Sequence, residues 1–262
     1  MKYVICRLPY KYAYLIVIGD LHIGDRGFGE ESKEKLRGYL EWVRDRPNAR
    51  VFLNGDLLNC ATRVSATSPF DQDMPLKEQI EMVVNYLKPI KKKIIGAIDG
   101  NHEQRLSDYC GYSPTISICD RLGFPYFGDS AVVNFQVGIH KRGSGRENAR
   151  ISYLGYFHHT TGGGATVGGK INRVDKMRQL VINCDFYCGS HNHMLGAVPV
   201  AVPYVDRING CIVLLKQFLI DCGGYLEWSD SYAERKQLPP QKIGSPRIRL
   251  DGTFKKDLHV SL

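Results

Sequence analysis

No stretch of this 262-residue chain approaches the roughly 18 to 20 consecutive apolar residues that a membrane-spanning helix needs. The opening residues, MKYVICRLPYKYAYLIVIGD, run into a strand-like segment with no cleavage site, so a cytoplasmic location is the expectation. There is no internal repeat, no aromatic-rich strip and no separate DNA-binding or capping domain. Zinc-finger spacing is also missing: Cys184 and Cys188 in CDFYC have no second Cys or His pair to complete a clip. Most of the eight cysteines lie inside apolar stretches and read as reduced, small core residues. The glycine-rich TTGGGATVGGK departs from the nucleotide-binding loop pattern because Ile171 follows Lys170 where Ser or Thr is needed.

What is present points to one folded unit. Hydrophobic residues make up 43% and charged residues 24%, ordinary for a globular chain. Residues 1–262 read as a single domain, with 225–262 an extended C-terminal segment packed on its surface, rich in Pro and Lys/Arg at YAERKQLPPQKIGSPRIRL. The formal net charge of +8 favours a polyanionic partner such as nucleic acid, through counterion release. The charges are scattered, however, and the only dense spots are Lys91, Lys92 and Lys93, and KRGSGR over residues 141–146.

Apolar runs ending in small polar clusters recur: YAYLIVIGD, ARVFLNGD, KKIIGAIDGN, RISYLGYFHH and CDFYCGS. Each reads as a buried strand whose carboxyl end carries the polar residues. Between the first three, ESKEKLRGYLEWVRD and PLKEQIEMVVNYLKPI return apolar residues at three- and four-residue spacing, which predicts helices and a largely parallel sheet. The second half is richer in strands, with SAVVNFQVGI, MLGAVPVAVPYV and CIVLLKQFLIDC beside one clear helix, INRVDKMRQLV. The expected fold class is α/β: two mixed β-sheets face to face, flanked by helices in a four-layer α/β/β/α sandwich.

Lined up in order, the strand ends present GDLH (Asp20, His22), GD (Asp56), GNHE (Asn101, His102, Glu103), HH (His158, His159) and SHNH (His191, His193). Ligands of open α/β sheets bind beyond the carboxyl ends of the strands, so these distant residues are expected to converge. Each block alone is ordinary, since Gly-Asp is usually a turn and Asn after Gly a turn residue. Together they hold six of the eight histidines, and carboxylate, imidazole and carboxamide oxygen make the mixed N/O ligand set of Mn²⁺, Fe or Zn²⁺.

The five blocks resemble the pattern D-x-H, G-D, G-N-H-(D/E), H and G-H-x-H of the calcineurin-like metallophosphoesterases, including phage and bacterial nuclease-like members, over about residues 12–193. The resemblance implies a double-sheet sandwich holding two divalent metal ions, Mn²⁺ ahead of Fe or Zn²⁺. It implies Asp20, His22 and His193 at the first metal, Asn101, His191 and one of His158 or His159 at the second, and Asp56 as the bridge. By similarity to members with two adjacent histidines, His158 is the expected ligand and His159 lines the substrate side. His102 would contact the phosphate or protonate the leaving oxygen. Two departures stand out: Ser190 separates the glycine from His191, and GDLLNC around Asp56 lacks the Asp-Arg-Gly of protein Ser/Thr phosphatases. The second argues against a phosphoprotein phosphatase.

The chemistry explains the residue types. Two cations about 3.5 to 4 Å apart clamp phosphoryl oxygens and generate hydroxide near neutral pH. A carboxylate with two oxygens suits the bridge, while imidazoles fill outer positions without over-neutralising the pair. Arg105, Lys170 and Arg173 are the basic residues expected to reach the substrate, and the glycine-rich loop can offer backbone N–H groups to a phosphate. The expected function is a metal-dependent phosphodiesterase acting on nucleic acid, with no membrane partner. The alternative substrate is a nucleotide or other small phosphoester. A binding protein that keeps the fold without turnover is disfavoured, because no ligand position is lost.

Overall fold

The computed structural model describes residues 1–63, 65, 72–139, 150–162, 164, 166–229, 234 and 239–262. The basic stretch at residues 141–146 lies outside the described residues, as do parts of the glycine-rich loop and of YAERKQLPPQ.

One sheet is built on three parallel strands, β2 (Tyr12–Ile18), β3 (Ala49–Asn54) and β4 (Ile94–Ile98), joined through α1 (Glu30–Arg44) and α2 (Leu76–Leu87). These strands read as unbroken apolar runs because both of their faces are buried. After β4 the chain forms α3 (Asn101–Cys110) and α4 (Pro114–Leu122) before entering the second sheet. That sheet has six strands in the order β1-β5-β6-β7-β9-β8: β1 (Lys2–Leu8), β5 (Ser130–Val137), β6 (Ile151–His158), β7 (Phe186–Gly189), β8 (Leu195–Asp206) and β9 (Cys211–Cys222). Helix α5 (Val167–Leu180) lies between β6 and β7 in sequence.

The C-terminal segment departs from the expected surface strap. Its β10 (Arg247–Asp251) pairs antiparallel with β2, and β11 (Leu258–Ser261) forms the edge beyond it, giving the order β11-β10-β2-β3-β4. Ile248 and Leu250 of β10 are fully buried between the sheets, so the segment completes a sheet and a core. Its alternating burial is the period-2 pattern of a strand, masked in the sequence by flanking Pro and basic residues.

Three apolar layers follow. Between the sheets, Leu15, Val17, Phe52, Ile98 and Ile248 meet Val133, Phe135, Tyr153, Phe157, Phe186 and Ile220, with Phe52 and Phe157 stacked at 3.9 Å between ring centroids. Outside the first sheet, Ile16, Ile18, Val51 and Leu53 pack on Leu36, Leu40, Val83, Leu87 and Ile118 of the helices. Outside the second, Val132, Tyr156, Tyr187 and Leu219 pack on Val174 and Met177 of α5. The architecture is the four-layer α/β/β/α sandwich of two mixed sheets expected from the sequence, with five α-helices among the described residues.

All eight cysteines are free. Cys184 and Cys188 belong to different apolar layers on opposite sides of the second sheet, so they form no clip. No helix among the described residues is long and apolar enough to cross a membrane.

Candidate metal centre

The carboxyl ends of β2, β3, β4, β6 and β7 point to one edge of the sandwich, and the turns that leave them bring the five blocks together. Adjacent turns are bonded to each other: Asp20 N donates to Gly55 O at 3.1 Å, and His22 N to Asp56 O at 3.0 Å. The packing is tight enough that a Cβ on Gly100 would meet Asp56 Oδ1 and N, and one on Gly55 would meet the Gly100 backbone. Among the described residues seven non-glycine residues have positive φ, and five of them are Asp20, His22, Asp56, His191 and His193. A left-handed conformation costs an ordinary residue roughly 1–2 kcal/mol, so its concentration at one cluster marks a site that the rest of the fold holds in place.

Two groups of donors share Asp56. In the first, Asp20, His22 and His193 offer ligand atoms within 4.8 Å of one another. His22 Nε2 and His193 Nε2 lie 3.2 Å apart, and Asp20 Oδ1, buried with no hydrogen-bond partner among the described residues, is 3.7 Å and 3.8 Å from them. Two imidazole nitrogens bound tetrahedrally at ordinary zinc–nitrogen lengths stand about 3.3 Å apart, so the pair fits around one ion. In the second group, Asn101 Oδ1 is 3.0 Å from His159 Nε2 and 2.7 Å from His191 Nδ1, with Asp56 Oδ2 3.2 Å from His159. Asp56 Oδ1 accepts the His102 amide, which leaves Oδ2 facing both groups, 3.7 Å from His22 and 3.2 Å from His159. The donor set therefore fits two divalent cations with Asp56 between them.

The histidine pair at the end of β6 resolves against the sequence expectation. His159, not His158, stands in the donor cluster. Successive strand residues point to opposite faces. Phe157 lies in the layer between the sheets and Tyr156 in the outer layer under α5, so His159 follows the inner face and His158 the outer. His158 is half-buried with its ring tilted against Tyr156, 6.3 Å away, while His159 is buried with Nδ1 3.0 Å from Asn54 O. That bond holds the Nδ1 proton and leaves Nε2 free to ligate.

His102 stands beside both groups. Its Nδ1 lies 2.6 Å from Asn59 O, its ring meets His22 edge-on at 4.4 Å, and Nε2 is 4.0 Å from Asp56 Oδ2. Nε2 is also close enough to His22 and Asp56 to count among potential ligand atoms.

Charge is distributed unevenly over the cluster. Burial and the neighbouring His102 push His22 down to about 3, and burial pushes His193 down to about 4, so both offer neutral nitrogens. Burial opposes the charged ring of His159 too, but the Asp56 carboxylate bonded to it holds it up to about 10. Asp56 is correspondingly held well below the usual carboxylate range: His159, His102 and His22 outweigh the burial that opposes its charge. A cation held by the second group would have to take the place of the His159 proton.

Several supporting residues were not singled out as functional in the sequence. Glu103, buried at the third position of α3, accepts the amides of Asp56 (2.9 Å), Leu58 (2.9 Å) and Gly100 (3.1 Å), tying the second block to the third. Acid at the third helical position of GNHE supplies one half of a capping box, the side chain that reaches back to the N-cap amide, while Gly100 has no side chain to supply the other. Ser190, the departure in the fifth block, accepts Asn54 Nδ2 at 2.7 Å in the space that Gly19 leaves open. Gly224 packs against the His193 ring, where a Cβ would come within 3.0 Å of Nδ1. Asp221, fully buried at the end of β9, has neither carboxylate oxygen hydrogen-bonded among the described residues, and burial and the nearby Asp20 push its carboxyl well up.

The basic candidates diverge. Lys170 is in α5, and its Nζ donates to Asn192 O at 3.0 Å, between the two histidines of the fifth block. It holds the ligand loop. The Arg173 guanidinium lies against Gly162 of the glycine-rich stretch. Arg105 follows Asn101 by one turn of α3, and its Nε and Nη2 are buried without an acceptor among the described residues. The end of the glycine-rich stretch, from Val167, belongs to α5, capped by Thr166 Oγ1 accepting Gly169 N at 3.1 Å.

No protein-family profile and no curated protein matches the chain. Among solved structures, it is similar to a conserved protein from Streptococcus pneumoniae described as a predicted phosphoesterase, at 15% identity over 94% of this chain and 88% of that one, with a TM-score of 0.35. It is similar to the NAD nucleotidase NadN of Haemophilus influenzae at 11% identity and a TM-score of 0.43, over 95% of this chain and 49% of that one. A metallophosphoesterase from Sphaerobacter thermophilus aligns at 9% identity and a TM-score of 0.36, over 96% of this chain and 88% of that one.

Proposed function

We propose that this protein is a metal-dependent phosphoester hydrolase with two divalent ions, Mn²⁺ the favoured metal, and that it cleaves phosphodiesters of nucleic acid. The observation that carries the reading is the pair of donor groups sharing Asp56, with Asp20 Oδ1 buried and unpartnered between His22 and His193. When bound, such ions supply Lewis acidity and a nucleophilic hydroxide near neutral pH.

The chain's own residues do the rest. Asp20, His22 and His193 would hold one ion and Asn101, His159 and His191 the other, with Asp56 Oδ2 facing both groups. Asn59 O fixes the His102 ring through Nδ1, so Nε2 faces the centre and can deliver a proton to the leaving oxygen of a diester. Arg105, with two buried guanidinium nitrogens lacking acceptors, is suited to hold a phosphate oxygen.

A second reading, a nucleotide or other small phosphoester as substrate, draws on where the basic residues sit. Lys91, Lys92 and Lys93 precede β4 and so lie at the opposite end of the sheet from the donor cluster, with Lys93 Nζ donating to the carbonyls of Val43, Arg44 and Arg46. Lys170 is turned into the ligand loop. A panel of single- and double-stranded DNA, RNA, cyclic nucleotides and model mono- and diesters, run with Mn²⁺ and with chelator, separates the readings. Chelator-sensitive cleavage of polynucleotide supports the first, and turnover confined to small esters selects the second. His102→Ala should retain metal and lose most turnover on a diester, about 10²- to 10⁴-fold for a lost general acid. Near-intact diester turnover would remove His102 from that role.

A further inference from the structure

We propose that the outer half of the β8–β9 hairpin is a self-association surface through which two copies of this chain form a two-fold dimer. The hairpin outgrows its sheet. Strand β7 pairs with β9 only from Phe218 to Asp221, so residues 211–217 are bonded to β8 alone, and β8 is the edge of the sheet. A bare two-stranded ribbon is marginal in water and needs something to pack on.

Its exposed side chains are apolar on both faces. Val205 opposite Ile212 and Pro203 opposite Leu214 occupy the face that continues Ala197 and Ile220, while Tyr204 opposite Val213 occupies the other. Exposure reaches 62% at Val205, 71% at Ile212, 66% at Leu214 and 95% at Ile208 in the turn. On the face of Val205, Ile212 and Leu214, with Ile208 at the tip, these present on the order of 500 Å² of apolar surface, at the upper end of the few hundred Å² patch of a typical monomer. Two copies packed on that face would bury on the order of 1,000 Å² in all, the lower bound for a specific protein–protein interface.

The chemistry selects the occupant. The ribbon from 199 to 217 carries only Lys216, Arg207 and Asp206, and Asp206 accepts from Ile208 N, Asn209 N and Asn209 Nδ2 of its own turn. Two cations are too few to draw it to a polyanion or an anionic bilayer, each of which takes a basic cluster. Sheet extension is blocked as well. Pro199 and Pro203 lie in the edge strand four residues apart, and each withdraws an N–H from the open edge. Face-to-face packing remains, and a patch that is apolar and nearly uncharged is self-complementary about a two-fold axis. Strand β8 leaves the metal centre just after His193 and runs 12 residues, so the turn lies on the order of 40 Å away and the dimer keeps both centres open.

The test is the solution mass of the full chain at micromolar concentration, by sedimentation equilibrium or light scattering after gel filtration. The wild type should have twice the 29.6 kDa chain mass, and Ile212→Asp with Leu214→Asp should halve it, with circular dichroism and metal content unchanged. Tyr3→Asp with Ile5→Asp, exposed on β1 at the opposite edge of the same sheet, should remain dimeric. If the first pair fails to fold, Val205→Asp with Ile208→Asp at the turn replaces it. A wild type that stays at the monomer mass overturns the proposal, as does a dimer that survives in the ribbon variants or is lost in the β1 variant. Sedimentation of monomeric wild type with phosphatidylcholine–phosphatidylglycerol vesicles would assign the ribbon to a membrane instead, and would equally overturn it.

Discussion

His159→Ala and His158→Ala differ by one residue position and should differ completely in metal content. His159 Nε2 is 3.2 Å from Asp56 Oδ2 and 3.0 Å from Asn101 Oδ1, so its removal takes one of four donors from the second group. Losing even an outer partner of a ligand costs about 10- to 100-fold in metal affinity, and losing the ligand itself costs at least the upper figure. That is a drop of about 2.8 kcal/mol or more at that position. His158 points to the outer layer beside Tyr156, and its truncation removes no donor. The assay is metal content by mass spectrometry after dialysis against Mn²⁺, with a calorimetric titration for the affinities. The wild type and His158→Ala should each hold two ions, and His159→Ala close to one at concentrations that saturate the wild type. Loss of an ion from His158→Ala while His159→Ala keeps both would refute the face assignment, and with it the reasoning from strand alternation.

His191→Ala and His193→Ala should each empty a different position, since His193 sits with Asp20 and His22 and His191 with Asn101 and Asp56; in cobalt-substituted protein the two variants should lose different absorption bands. Glu103→Ala strands three buried amides, each costing roughly 1–3 kcal/mol, and should lower the melting temperature by on the order of 10 °C at about 2–4 °C per kcal/mol; an unchanged melting curve would show that the Asp56 turn needs no such brace. In metal-free protein the pH dependence should have two arms. His22 and His193, depressed to about 3 and 4, leave the folded state short of protons below the ordinary value of 6.5, so stability falls as pH drops through that window. His159, raised to about 10, adds stability that is full below 6.5 and is lost as pH rises toward 10. The melting temperature should therefore peak near neutrality, and the alkaline arm should flatten when metal replaces the His159 proton.

The patterning of the chain laid out the layers and named most of the strand-end residues that the fold brings together. Unbroken apolar runs such as YLIVI required strands buried on both faces, the helical periodicities placed α1, α2 and the body of α5, and polar residues at the ends of those runs marked the edge where ligands collect. Only the tertiary structure decided between neighbours. A pair such as His158-His159 is ambiguous until it is known which face of β6 looks toward the other sheet, because the one-residue step that separates them reverses direction. The same holds for residues whose role depends on distant backbone. Glu103 matters because the amides of Asp56 and Leu58, more than forty positions away, are brought to it, and Gly224 because the His193 ring lies where its Cβ would be. Strand β10 was hidden for a related reason: five residues between Pro-rich and basic neighbours carry too short a period to stand out, and pairing with β2 supplies the order that composition could not.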